Sequence, residues 1–370
     1  MPRYITPAIL FVLAAGCTNT PEARPQVDPD SYQVEIVHEG LDHAWGLAFL
    51  PDGGMLVTER PGRMSRIRDG EQQLIGGTPE VFTRGQGGLL DVALHPAFED
   101  NGQVYLSYAA ECDGGATTHV GRGRLEDERL ADFEVLLVAE PCVSGGRHFG
   151  SRLVFDDAGY LFVTTGDRGN RDSAQDLASL HGKTLRILDD GRIPDDNPFV
   201  GQASAHDAIW SYGHRNTQGM TLHPDTRELW LHEHGPRGGD EINLPQAGAN
   251  FGWPLATYGQ EYVGGSIGEE PPVAGLEPPL YHWTPSPAPS GMAFYTGEAF
   301  PDWQGKLFIG ALAHRRLLML TLDGEAVVNE QVLLEDQSWR IRDVRDGPDG
   351  YLYLLIDARD APLVRLMPDD

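Results

Sequence analysis

A chain of 370 residues with 40% hydrophobic side chains is long enough to bury one large all-β domain or two ordinary ones, and its composition excludes a disordered chain. Its 55 acidic residues against 28 basic ones give a formal charge of −27, which repels nucleic acid and anionic lipid over most of the surface. No nucleic-acid partner is expected. Arginines that cluster in so acidic a protein point either to an anionic ligand or to pairing with neighbouring acids.

The N-terminus reads "MPRYITPAILFVLAAGCTNT": one arginine, then an apolar run from Ala8 to Gly16 too short to span a bilayer, then small residues before Cys17. This is the pattern of an export signal, and "LAAGC" resembles the bacterial lipobox, in which the cysteine becomes the lipidated first residue. The expectation is a signal peptide over 1–17 and a polar, Pro-containing tether over 18–31, with the folded domain over 32–370. Thr18 after the cysteine resembles outer-membrane sorting, so the domain should face the periplasm and meet the membrane only through its lipid anchor. Cys112 and Cys142 remain, an even pair in an exported chain, where oxidising conditions favour a disulfide.

Six stretches share one pattern, a turn rich in Pro, Asp and Gly followed by an alternating strand. In chain order they are "LPDGGMLVTE", "HPAFEDNGQVYLSY", "FDDAGYLFVTTGD", "HPDTRELWLHEH", "FPDWQGKLFIGAL" and "GPDGYLYLLID". One hairpin unit recurring along the chain with little helical periodicity predicts a six-bladed β-propeller, with a pair of sandwiches as the alternative architecture. The longest gap, 251–299, is Gly- and Pro-rich and is expected as a long loop over one face. "DSAQDLASLHGK" is the one helical candidate.

Four polar clusters fall at or just after strand ends: around Gln86, around His148, around Arg215 and Asn216, and in "LHEHGPRGGDEIN" over 231–243. In a propeller such ends converge on one face. His148 lies between Gly146 and Gly150, and Asp167 at the end of the following strand is placed to hold its imidazole. His232 and His234 share a strand face, which suits either a transition metal or an ordinary edge hairpin. The hard oxygen of "GDE" and the carbonyls freed by Gly235-Pro236 suit calcium better. Arg340 and Arg342 alternate along a strand, placed either to grip a polycarboxylate or to pair with Asp343 or Asp346. "GGSIG" matches the nucleophile pattern G-x-S-x-G only formally, and no nucleotide-cradling glycine motif is present.

Together, "GQGGLLDVALHP", "RHFGSRLVFDDAGYLFVTTGD", "GKTLRILDDGRIPDDNPF", "SYGHRNTQGM", "HEHGPRGGDEINLPQAGANFGWP", "SGMAFYTGEAFPDWQGKLFIGAL" and "RIRDVRDGPDGYLY" resemble the soluble PQQ-dependent aldose sugar dehydrogenases of the glucose/sorbosone dehydrogenase family, from about residue 33 to 368. The resemblance implies a six-bladed propeller holding pyrroloquinoline quinone (PQQ) and calcium. It implies that the carbonyls of Gly235 and Pro236 bind the calcium that bridges to PQQ, and that Glu241 and the backbone of Phe251 form a second calcium site. His148 matches the catalytic base, Asp167 its orienting acid and Arg215 a donor at the reacting carbonyl oxygens. Gln86, Asn216, His234, Tyr262, Arg340 and Arg342 match cofactor contacts, as do Ala311, Leu312 and Ala313 in "GAL" and the position after it.

Two departures from the family pattern stand out. Ala313 occupies a position where relatives commonly carry a cofactor-contacting lysine, which leaves one PQQ oxygen without a cation unless Arg315 reaches in. Arg147 replaces the small or acidic residue often found before the base. The implied activity is oxidation of an aldose at its anomeric carbon to the lactone, with electrons leaving PQQ for an acceptor that the sequence does not identify. The alternatives are a non-catalytic propeller that binds a glycan or protein, and a calcium-dependent lactonase.

Overall fold

In the computed structural model, which describes Met1 and residues 31–369, six four-stranded antiparallel sheets are arranged around an axis. The export signal, Cys17 and the tether up to residue 30 lie outside the described residues. The chain enters on Tyr32–Leu41 (β1). Five blades then follow in strict order. They are Ala44–Phe49, Met55–Glu59, Arg63–Arg68 and Glu71–Ile75 (β2–β5); Leu89–Leu94, Gln103–Cys112, Gly115–Glu126 and Arg129–Val138 (β6–β9); and Leu153–Phe155, Leu161–Thr164, Lys183–Ile187 and Ile209–Tyr212 (β10–β13). Thr217–Leu222, Leu229–Glu233, Asp240–Asn243 and Tyr281–Trp283 (β14–β17) make the fourth, and Pro289–Phe294, Leu307–Ala311, Arg316–Asp323 and Ala326–Leu333 (β18–β21) the fifth. Ile341–Asp346, Leu352–Ile356 and Ala361–Pro368 (β22–β24) begin the sixth, and β1 completes it as the outermost strand, pairing Tyr32 with Pro368 and Ile36 with Val364. The two ends of the domain are thereby zipped together, which leaves no open seam in the ring.

The six repeated turn-strand stretches are the approach to the second strand of each blade, β3, β7, β11, β15, β19 and β23, with that strand itself. Apolar side chains of each blade pack against the next. Leu56 and Met64 meet Leu89 and Leu106; Phe162 meets Met220 and Leu231; Leu355 and Leu363 close the circle on Leu47 and Val57. Burying both faces of each sheet in this way is what the alternating hydrophobic pattern encodes.

Two expectations need correction. Residues 251–299 are not one loop, because β17 and the innermost strand β18 lie inside them; the irregular part joins β16 to β17. "DSAQDLASLHGK" is not a helix. A short 3₁₀ turn, Arg171–Ala174, is followed by further turns, and Lys183 already belongs to β12. The buried Lys183 ammonium donates to the carbonyls of Ser173, Ala174 and His181 at 2.8, 3.1 and 2.7 Å, so tertiary bonds satisfy carbonyls that a helix would otherwise have used.

Candidate active site

The first strands β2, β6, β10, β14, β18 and β22 contact one another around the axis. Because each runs antiparallel to the second strand, the start of the first and the end of the second emerge on the same face. In five blades the pairing slips at the top of the first strand: between Ala44 and Gly46, Leu89 and Val92, Thr217 and Gly219, Pro289 and Met292, and Ile341 and Asp343. Bulges at a rim turn side chains away from the sheet and toward the axis. A cavity of about 240 Å³ opens there. Trp45, Leu90, Gln218 and Arg342 reach it from strand starts, and Arg60, His234, Leu312, Ala313 and Asp357 from just beyond second-strand ends. Sites distant in sequence meet on one face, as the propeller reading requires.

His148 stands beside this cavity in the left-handed region, at φ 55°. Its backbone N–H donates to Gln86 Oε1 at 2.6 Å, which joins the second blade to the third. Its Nδ1 is 2.6 Å from Asp167 Oδ1. A carboxylate only accepts, so the proton sits on Nδ1 and the lone pair on Nε2. Asp167 is fixed in turn by Trp253 Nε1 at 2.9 Å and Gly169 N–H at 2.7 Å. Gly166 lets these segments meet, since a Cβ there would lie 2.1 Å from His148 O.

Burial lowers the His148 pKa, Asp167 opposes this, and the charges of Arg215 and Arg147 reinforce it; the ring sits below the ordinary histidine value. For Asp167 burial works upward, but the hydrogen bond and charge of His148, the Gly169 N–H and Arg215 outweigh it, and the carboxyl lies below its ordinary range. The pair is therefore a neutral imidazole beside an ionised carboxylate at neutral pH.

The cavity has a guanidinium-lined side and an apolar wall. Arg340 and Arg342 share one acid, Asp357, at 3.1 and 3.3 Å from Oδ2. Neither pairs with Asp343 or Asp346; Arg340 also donates to Leu312 O at 2.9 Å and Arg342 to Gln218 Oε1 at 3.0 Å. Trp45, Leu90 and Phe149 belong to a buried apolar cluster and supply the wall. His234 donates Nε2–H to Pro289 O at 2.6 Å, and burial pushes its pKa down to about 3, so it is neutral with its lone pair on Nδ1.

Next to it, Arg215 donates to the carbonyls of His234 and Gly235 at 2.9 and 3.3 Å and lies 3.5 Å from the Tyr262 hydroxyl. Gly235 and Pro236 are held by Asp240, whose Oδ1 accepts from Gly235 N at 2.7 Å, and by Gln260 N–H on Pro236 O at 3.0 Å. These carbonyls keep lone pairs for a hard cation. Glu241 is buried directly opposite Glu233 on the neighbouring strand, while the Asp240 carboxylate is taken up by Gly235, Ser286 and Ala288. Burial and then Glu233 raise the Glu241 pKa well above the carboxylate range. Glu233 Oε1 is 2.7 Å from His214 Nδ1, and the His214 ring stacks on Phe251.

Not every expected residue reaches the cavity. Ala311 is wholly buried in the core between the fourth and fifth blades, while Leu312 and Ala313 do line the cavity. Asn216 spends its carbonyl on Gly150 N–H at 3.2 Å and acts from behind. Tyr262 is 66% exposed and belongs to the rim. His232 is buried in the sheet with neither ring nitrogen partnered, and among the described residues no group of three or more His, Cys, Asp or Glu is placed to hold a metal. Arg315 is exposed and does not line the cavity. Sequence reasoning missed Trp45, Arg60, Gln218 and Asp357. Their signal is positional: all lie at the start of a first strand or just past the end of a second.

The sequence profile described as Glucose / Sorbosone dehydrogenase matches residues 41–365. The aldose sugar dehydrogenase YliI of Escherichia coli is 49% identical over 348 residues, covering 92% of this chain and 94% of that protein. The crystal structure of the soluble aldose sugar dehydrogenase from Escherichia coli in the apo-form superposes with a TM-score of 0.89 at 48% identity, over 92% of this chain and 100% of that one. The PQQ-bound form of aldose sugar dehydrogenase from Streptomyces coelicolor gives 0.74 at 29% identity, over 92% and 99%. This chain therefore belongs to the glucose/sorbosone dehydrogenase family.

Proposed function

We propose that this protein is a PQQ- and calcium-dependent aldose sugar dehydrogenase that oxidises the anomeric carbon to the lactone. The observation that carries this reading is the His148–Asp167 pair at 2.6 Å beside an arginine-lined cavity, in a chain so similar to enzymes named for that activity. Arg340 and Arg342 suit the carboxylates of PQQ, and Trp45, Leu90 and Phe149 its flat ring system. Calcium is assigned to the carbonyls of Gly235 and Pro236, with a second ion at Glu241, which is buried opposite Glu233, and the Phe251 backbone. When bound, PQQ supplies an electrophilic quinone that accepts hydride.

The protein's share is proton transfer and orientation. His148 Nε2 takes the proton of the anomeric hydroxyl, and Asp167 holds the tautomer that makes this nitrogen basic and stabilises the imidazolium that forms. Arg215, locked to two carbonyls, offers a preorganised donor at oxygen that gains negative charge. The "LAAGC" terminus supports export and lipid anchoring on the periplasmic side.

The test is reconstitution of purified apoprotein. PQQ with calcium should give dye reduction with aldoses, and exhaustive chelation before PQQ is added should abolish it and lower thermal stability. Full turnover in verified metal-free protein would remove calcium from the reading, and no dye reduction with PQQ would return it to a binding propeller or a lactonase.

A further inference from the structure

We propose that Arg60 is an anion-binding residue of the cavity, providing the cation that Ala313 lacks and neutralising a carboxylate of the bound cofactor. This rests on the reading of the cavity as a PQQ site. The charge balance of the cavity wall points to it. Three guanidinium groups, Arg60, Arg340 and Arg342, face one carboxylate, Asp357. Arg340 and Arg342 share that acid, and among the described residues Arg60 has no acid within salt-bridge distance. Its chain neighbour Glu59 is already committed to Arg63 and to the Asp42 N–H, both at 2.6 Å.

Arg60 is also held in place. It follows β3, its N–H donates to His43 O at 3.1 Å, and its carbonyl accepts from Leu89 N–H at 3.2 Å. Nη2 donates to Gly85 O at 2.6 Å, next to Gln86, which positions His148. Nε is buried with no partner. A fixed cation with a spare buried donor and no counter-ion is unfavourable alone and favourable once an anion arrives. Burial, and the neighbouring cations Arg152, Arg60 and Arg340, lower the Arg342 pKa to about 10, in keeping with a cavity short of negative charge. Ala313 lines the same cavity without charge, and Arg315 stays outside it.

The experiment titrates apoprotein with PQQ, following quenching of tryptophan fluorescence, in wild type, Arg60→Gln, Arg60→Lys and Arg60→Gln combined with Ala313→Lys. Circular dichroism and Tm monitor the fold. Arg60→Gln should weaken PQQ binding about 10- to 100-fold and reduce its dependence on salt, as expected for loss of one charge-assisted bond. Arg60→Lys should lose less. Ala313→Lys should restore much of the affinity, because it returns a positive charge without restoring the Gly85 contact. Unchanged affinity in a folded Arg60→Gln protein overturns the inference. So does a loss that Ala313→Lys leaves uncorrected, since Arg60 would then act only by holding Gly85 and Gln86. Failure of the wild type to bind PQQ would instead overturn the reading of the cavity itself.

Discussion

His148 can serve as a base because two blades constrain it: Gln86 holds its backbone, Asp167 its Nδ1, and Gly166 leaves the space in which they meet. His148→Gln should keep the fold and PQQ binding yet lower turnover by about 100- to 10,000-fold, the usual cost of losing a positioned base. Asp167→Asn should cost less, since it disturbs the tautomer without deleting the ring. The sign of the pH effect follows from the charges. The folded pKa of His148 is lowered, so its neutral, basic form persists below the ordinary histidine value, and the acid limb of kcat/KM should lie below about 6.5. Asp167 raises that pKa, so Asp167→Asn should move the limb to still lower pH. Wild-type turnover by PQQ-loaded His148→Gln, or an acid limb displaced upward in Asp167→Asn, would refute the assignment. This pair was legible in the sequence because flanking glycines and a strand-end aspartate mark it. Arg60 was not, because an arginine in "TERPGR" reads as an ordinary charged hairpin.

Among elements, the loop between β9 and β10 carries His148 and has little regular structure of its own. It is secured at two points. Cys142 bonds to Cys112 at the end of β7, and Ala116 N–H donates to Val143 O at 3.1 Å. Arg168 then reaches back to the carbonyls of Gly145 and Ala116 at 2.8 and 3.3 Å, and to that of Arg147, with its guanidinium over the Phe149 ring. The disulfide thus anchors the segment six residues ahead of the base. Replacing both cysteines by serine should cost about 3–4 kcal/mol on the chain-entropy estimate for a loop of this length, visible as a lower Tm. Turnover should fall while PQQ affinity holds, because Arg340 and Arg342, proposed to grip PQQ, stand at the sixth blade. Equal Tm in oxidised and cysteine-free protein would show that the loop is held by Arg168 and its hydrogen bonds alone. The second strands were readable because each follows a Pro, Asp or Gly turn. β17 and β18 were not, since β17 is only three residues long and β18 opens on Pro289, and packing between blades decides them.

At the scale of the whole ring, the first strands share a second repeat that the turn pattern concealed. Aligned at their tops, "AWGLAF", "LLDVAL", "SRLVF", "TQGMTL", "PSGMAF" and "IRDVRD" place Gly46, Asp91, Arg152, Gly219, Gly291 and Asp343 at one level. Arg152 Nη1 lies 2.9 Å from Asp343 and 3.3 Å from Asp91, and Arg345 binds the same two acids, each at 2.9 Å. Leu47 N–H donates to Asp343 at 3.1 Å and Leu153 N–H to Asp91 at 2.9 Å, so the network joins the first, second, third and sixth blades. Glycine is needed opposite: a Cβ at Gly291 would lie 2.3 Å from Asp343 Oδ1, and one at Gly46 2.8 Å from Asp91 Oδ1. Charges inside strands normally read as solvent-facing, which is why this hub was invisible in the sequence. Arg152 also donates to Arg342 O at 3.3 Å, so the hub supports the cavity. Asp343→Asn keeps the volume but leaves the buried Arg152 and the half-buried Arg345 with one acid between them, and losing one partner of a buried pair such as Arg152–Asp343 costs about 3–5 kcal/mol. Its Tm should fall by several degrees, and its PQQ affinity should weaken as Arg342 loses support. Asp157→Asn, which breaks only the exposed pair with Arg227, should change Tm by little, because exposed pairs contribute about 1 kcal/mol or less. Equal thermal stability of the two variants would mean that the apolar surfaces between blades hold the ring without help from its axis.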